Sequence, residues 1–309
     1  MTAIPLPEVV AIGETMALVA PVLAEPLETA DEFRVDTAGA EANVAAHLAA
    51  LGRTAAWAGR VGDDALGRRV VRHLHDRGVD TRWVETDDEA PTGVYFKDPG
   101  NGVRYYRAGS AASRMSPSFL DSLPIDSARI VHLSGITPAL SASCDALADA
   151  LVARVETASA LLSFDVNHRS ALWPAGVAAD RLRELAARAD VVFVGLDEAE
   201  ALWGTATPEA VRVLLPEPTL LVVKDGAIGA TEFRAGAGAD DRPTHVPAMV
   251  AEVVEAVGAG DAFAAGYLAS WLTGGDASGR LAAGHARAVT VLGDTADFPR
   301  VESTPRSTR

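Results

Sequence analysis

The chain has 309 residues, 49% of them hydrophobic, a single cysteine (Cys144) and a formal charge of −15. That length can bury one large core. One cysteine excludes an intrachain disulfide, and no run of ~20 apolar residues is present to span a bilayer. So acidic a surface disfavours nucleic acid and anionic membranes as partners, and the N-terminal stretch lacks the basic and apolar blocks of a secretory signal. A cytoplasmic protein is therefore expected.

In chain order, residues 9–12 form the first expected strand. Residues 14–37 read as strands joined by turns, without a long helix. Helical spacing follows over 42–51 and 65–77. Residues 91–109 again read as strands, 92–96 and 103–107, about the turn Asp98-Pro99-Gly100-Asn101-Gly102. The runs 130–133, 161–164, 191–194 and 220–223 are short, apolar and partly valine-rich, as strands buried on both faces tend to be. Helical patterns over 146–155, 178–188, 262–272 and 279–292 alternate with them, the first preceded by the capping candidates Ser141, Ser143 and Asp145. This alternation predicts an α/β fold with a mostly parallel sheet covered on both faces. Residues 1–13, 38–90 and 110–309 would form that core. Residues 14–37 and 91–109 would form a small β lid outside it.

The strongest local motif is Gly258-Ala259-Gly260-Asp261, which opens directly into a helix. Free amides at a helix start suit a phosphate, and Asp261 in the first turn could take a proton from a hydroxyl. The plainer reading is a glycine turn with a capping aspartate. The segment Ala38-Gly39-Ala40-Glu41-Ala42-Asn43 also enters a helix, and Asn43 can both donate and accept. Gly59-Arg60-Val61-Gly62-Asp63-Asp64 reads alone as a turn and a cap. Lys224-Asp225-Gly226-Ala227-Ile228-Gly229 is a strand end with a glycine-rich turn, or simply a hairpin into 231–233. The patterns GxxxxGK[ST], GxGxxG after the first strand, GxSxG and HExxH are absent. His73 and His75 lie two apart and face different sides of a helix, so no zinc site is expected.

Together these clusters resemble the ribokinase-like (PfkB) carbohydrate kinases over nearly the whole chain, from residue 9 to about residue 298. The segments 39–43, 92–95, 105–107, 132–140 and 165–169 are similar to the 2-keto-3-deoxygluconate kinases of that family. The resemblance implies a three-layer α/β/α sandwich with a β lid, and an ATP-dependent sugar kinase using Mg2+. Asp261 would be the general base, with Gly258, Ala259 and Gly260 as the anion loop. Substrate would meet Gly39, Asn43, Tyr95, Tyr105, Arg107, Arg169 and Asp294. The nucleotide would meet Asn167, Lys224, Gly226, Gly229, Gly258 and Gly260, and Glu198 would help organise magnesium. Arg107 and Arg169 are fork-shaped donors suited to the carboxylate of an acidic sugar; as plainer readings, each arginine is a surface ion pair and each tyrosine packs in the lid.

The expected reaction is phosphorylation of 2-keto-3-deoxygluconate to its 6-phosphate. Alternatives are a kinase for fructose, ribose or a nucleoside, and a non-catalytic sugar-binding regulatory protein on the same fold. Three positions depart from the family pattern: Gly195 stands in place of Asn or Ser, Glu255-Ala256 in place of Asp and Thr or Pro, and His168 in place of Tyr. The acid at the second of these lies near a monovalent-cation site in some members, so a monovalent cation stays open as a further ligand. A homodimer joined through exposed lid edges is also expected.

Overall fold

The structure, a computed structural model, describes residues 5–23, 25–236, 242–251 and 257–292. The chain begins with β1 (Val9–Ile12), β2 (Met16–Pro21), β3 (Phe33–Ala38), α1 (Ala40–Ala50), β4 (Ala55–Gly62), α2 (Ala65–Asp76) and β5 (Val84–Asp87). It continues with β6 (Val94–Asp98), β7 (Gly102–Tyr106), β8 (Ile130–Ser134), α3 (Ile136–Ala139), α4 (Ala142–Val155), β9 (Leu161–Asp165) and α5 (Ala175–Ala187). Then come β10 (Val191–Gly195), α6 (Leu196–Trp203), α7 (Pro208–Leu214), β11 (Leu220–Asp225), β12 (Gly229–Arg234), β13 (Thr244–Pro247), α8 (Ala259–Leu272) and α9 (Ala277–Leu292).

Nine strands form one sheet in the order β13-β12-β11-β10-β9-β8-β1-β4-β5. From β11 to β5 all pairings are parallel; β12 and β13 close one edge as antiparallel strands. The central strands are apolar on both faces because both faces are covered. In β1, for example, Val10 and Ile12 join a core with Leu147 and Leu151 of α4 and Leu182 of α5. Val9 and Ala11 point the other way, into a core with Leu48 of α1, Val70 of α2, Tyr267 of α8 and Leu281 of α9. The result is the expected α/β/α sandwich. Ser141 is the cap that α4 uses, its side chain accepting from the Cys144 amide, and the Cys144 thiol is buried.

α8 and α9 pack closely. A Cβ on Gly266 would overlap the Ala283 carbonyl, and one on Gly284 would meet the Phe263 ring at 2.8 Å. Side chains at either point would force the helices apart.

The second sheet has the order β3-β2-β6-β7. Met16, Leu18, Ala20, Ala38 and Tyr95 form its small buried apolar cluster. Burial yields ~1.5–3 kcal/mol for each large side chain, against ~1–2 kcal/mol of backbone entropy for every ordered residue. This sheet therefore depends on its attachment to the main body. Among the described residues no helix is long and apolar enough to cross a membrane.

Candidate active site

The carboxyl ends of β11, β10, β9, β8 and β1 lie side by side, and the chain reverses its direction of sheet growth between β8 and β1. Open α/β sheets bind ligands in the crevice at such a reversal. A cavity of ≈ 630 Å³ lies there, bounded by the strand ends, the start of α8 and the lid residues Tyr95, Val103 and Tyr105.

Asp261 occupies the first turn of α8. Gly258 caps that helix in the left-handed region, at φ 84°, a conformation that favours glycine. No side chain caps the helix, so its first amides are left to an external acceptor. Gly258 and Gly260 line the cavity with Asp261, whereas Ala259 between them does not. Asn43 in α1 donates through Nδ2 to Asp261 Oδ2 at 2.8 Å. Gly39, just ahead of α1, has no room for a side chain, since a Cβ would overlap the Glu14 carbonyl. Burial pushes the Asp261 carboxyl up to about 7, against the Asn43 hydrogen bond and with the help of the Asp165 carboxylate.

Lys224, at the end of β11, donates to Asp165 Oδ2 at 2.8 Å. A Cβ on Gly260 would lie 3.4 Å from Lys224 Nζ, so the ammonium stands beside the start of α8. Burial works against its charge, but Asp165, Glu198 and Asp261 outweigh burial and raise its pKa, so the amine stays protonated. Behind Asp165, burial pushes His132 down to about 4. The ring is neutral there and hydrogen-bonds Ser163 Oγ at 3.0 Å. Glu198 accepts from the Gly195 amide at 2.8 Å and lies 3.9 Å from Arg169. Burial raises its pKa, with Lys224 opposing. Among the described residues no three His, Cys, Asp or Glu side chains gather to hold a metal by themselves. Magnesium needs few protein ligands where phosphate oxygens and water are present, and Asp165 Oδ1, buried beside the cavity without a hydrogen-bond partner, is an acceptor suited to it.

On the lid side, the Tyr95 and Tyr105 rings lie 5.6 Å apart, and the Arg107 guanidinium is 5.4 Å from the Tyr105 ring. Asn167 lines the cavity at φ 40°, the one positive value outside glycine among the described residues. Asparagine tolerates this region better than most residues. Gly226 lines the cavity too. Gly229 does not: it is paired in β12 against Pro247, where the Val246 carbonyl fills the space of a Cβ. Asp294, Glu255 and Ala256 lie outside the described residues. Glu14, Asp165 and Asp197 also line the cavity and were not singled out from sequence. The available signal was an acid at or just beyond the end of a buried apolar strand, in Glu14 and Asp165.

A doubly covered parallel sheet, with a carboxylate at a bare helix start facing a small sheet lid, defines the ribokinase-like class of sugar kinases. A family model described as pfkB family carbohydrate kinase matches residues 6–297. The 2-dehydro-3-deoxygluconokinase of Thermoproteus tenax is 38% identical over 94% of this chain and 90% of its own length. The 2-dehydro-3-deoxygalactonokinase of Haloferax volcanii is 34% identical over 94% and 93%. Among solved structures, a PfkB protein from Polaromonas sp. JS666 superposes with a TM-score of 0.84 at 35% identity, covering 92% of this chain and 95% of that one. The chain belongs to the pfkB family of carbohydrate kinases and is a sugar kinase.

Proposed function

We propose that the chain transfers the γ-phosphoryl group of ATP to the 6-hydroxyl of 2-keto-3-deoxygluconate (2-dehydro-3-deoxygluconate), with Asp261 as general base. The observation that carries this reading is the Asp261 carboxylate itself. It is fixed by Asn43, stands at the start of α8, and faces a cavity whose other wall is the lid. A hydroxyl beside it can lose its proton to Oδ1 or Oδ2 as the oxygen attacks phosphorus in line with the departing ADP. The Gly258 and Gly260 amides and Lys224 would take up charge on the phosphates. Magnesium, held near Glu198 and Asp165 through water and phosphate oxygens, would supply further charge neutralisation. Tyr95 and Tyr105 would cover the sugar and keep water from the phosphoryl group. An acidic sugar is supported by the relatives named for 2-dehydro-3-deoxy sugar acids and by Arg107 and Arg169 in the cavity wall.

The test is ADP release with ATP and magnesium over 2-keto-3-deoxygluconate, its 4-epimer 2-keto-3-deoxygalactonate, D-fructose and D-ribose. The gluconate acid should give the highest kcat/KM. Fructose or ribose as the best acceptor would overturn the substrate, and no ADP with any acceptor would overturn the activity.

A base must be ionised to work. With Asp261 pushed up to about 7, kcat/KM should fall about tenfold for each pH unit below that value and level off above it. A profile that is flat from about pH 5.5 to about pH 8.5 would remove Asp261 from this role.

A further inference from the structure

The chain passes between core and lid four times, and Glu14 stands where the four crossings meet. Glu14 follows β1 and leads into β2. Its carbonyl is packed under Gly39, where the chain leaves β3. A Cβ on Gly93, where the chain enters β6, would lie 3.0 Å from Glu14 Oε1. The segment leaving β7 closes the ring: Arg107 donates through Nη2 to Glu14 Oε2, and Ser110 Oγ donates to Oε1 at 3.0 Å.

The Glu14 side chain is fully buried and that of Arg107 is 8% exposed, yet both residues line the cavity. A buried ion pair is poor value for stability alone, because desolvation offsets most of the attraction. Its geometry suggests another use. Glu14 occupies Nη2 of the guanidinium, while Arg107 Nε is buried and has no hydrogen-bond partner. Such an unused charged donor beside a cavity suits an anionic ligand. The Tyr105 ring flanks the guanidinium and narrows its freedom to swing.

We propose that Glu14 is a positioning residue. It holds Arg107 at the junction of core and lid so that the guanidinium's free donors meet the carboxylate of an acidic sugar. The inference rests on the acidic-sugar reading above. Glu14 itself touches no reacting atom.

The test is steady-state kinetics of the full chain with 2-keto-3-deoxygluconate and with D-fructose, for wild type, Glu14→Ala and Glu14→Gln, alongside thermal melts. Wild type that prefers fructose overturns the acidic-sugar reading, and this inference with it. With the acid preferred, Glu14→Ala should raise KM for the acid by ~10–100-fold, the scale of a charged hydrogen bond. Its kcat and its KM for fructose should stay within about threefold, because only carboxylate binding is lost. Glu14→Gln keeps an acceptor for Arg107 and should recover part of the acid KM. If Glu14→Ala does not fold, Glu14→Gln decides alone, by a rise in acid KM of at least about threefold with fructose unchanged. An unchanged acid KM, or equal rises for both sugars, overturns the positioning role while leaving the acidic-sugar reading intact.

Discussion

Asp261→Asn is expected to lower kcat by ~10²–10⁴-fold, the usual contribution of a positioned base, with ATP and sugar affinities kept within a few-fold. The substitution is close to isosteric. It leaves Gly258 as the cap of α8 and leaves an oxygen able to accept from Asn43. The anion-ready helix start is therefore preserved, and only proton acceptance is lost. Calorimetric titration with ATP, combined with single-turnover phosphorylation, separates the two effects. Wild-type turnover by the variant would mean that the hydroxyl proton leaves by another route. Loss of nucleotide affinity together with turnover would mean that the carboxylate serves the loop and not the sugar.

The second large effect concerns Lys224. Lys224→Met keeps the length of the side chain but strands Asp165, whose side chain is 4% exposed. Breaking a buried pair from one side costs about 3–5 kcal/mol, equivalent to roughly 5–8 °C in Tm for a chain of this length. Transfer should suffer as well, because the ammonium beside Gly260 is lost from the proposed phosphate site. The double variant Lys224→Met with Asp165→Asn, read beside Asp165→Asn alone to subtract what Asp165 does at magnesium, separates the two roles. It removes the stranded charge and should recover most of the Tm, without recovering kcat/KM for ATP. If both quantities recover together, the pair matters for folding alone.

The core of the fold was legible where burial speaks loudly. β1, β8, β9, β10 and β11 are short apolar runs, and they form the middle of the sheet. β4 was not legible: its sequence AAWAGRVG is rich in alanine and glycine, and its end looked like a turn. Tertiary context makes it a strand. It pairs with β1 from Val9↔Ala55 to Ile12↔Ala58, and the Trp57 indole donates to the Gly13 carbonyl at 3.2 Å. β5 is polar and lies at the sheet edge, so no hydrophobic pattern marks it. α6 and α7 are too short for periodicity to stand out, and are defined by Gly204 and Thr207 at their ends.

The same division holds at the site. Asn43, Lys224, Gly258 and Asp261 sit in small-residue segments at helix starts and strand ends, where sequence announces ligand access. Gly229 has the same local look, and only the pairing of β12 with β13 removes it from the cavity. Glu14 and Asp165 were silent because an acid after a strand usually meets water. Sheet order alone brings the ends of β1, β8 and β9 together.

The close seam between α8 and α9 at Gly266 and Gly284 bears on which half of the molecule moves. Helices in such intimate contact cannot slide without a clash or part without losing packing, so the carboxylate at the head of α8 is anchored to the bulk of the protein. Tyr95 and Tyr105 belong to the outer four-stranded sheet, whose buried apolar cluster is small, and Arg107 directly follows its last strand. In the proposed reaction the chemistry is thus assembled in advance and stationary. Selection falls to the part that delivers the sugar, so an ill-fitting acceptor is refused by poor delivery and the base itself never has to discriminate.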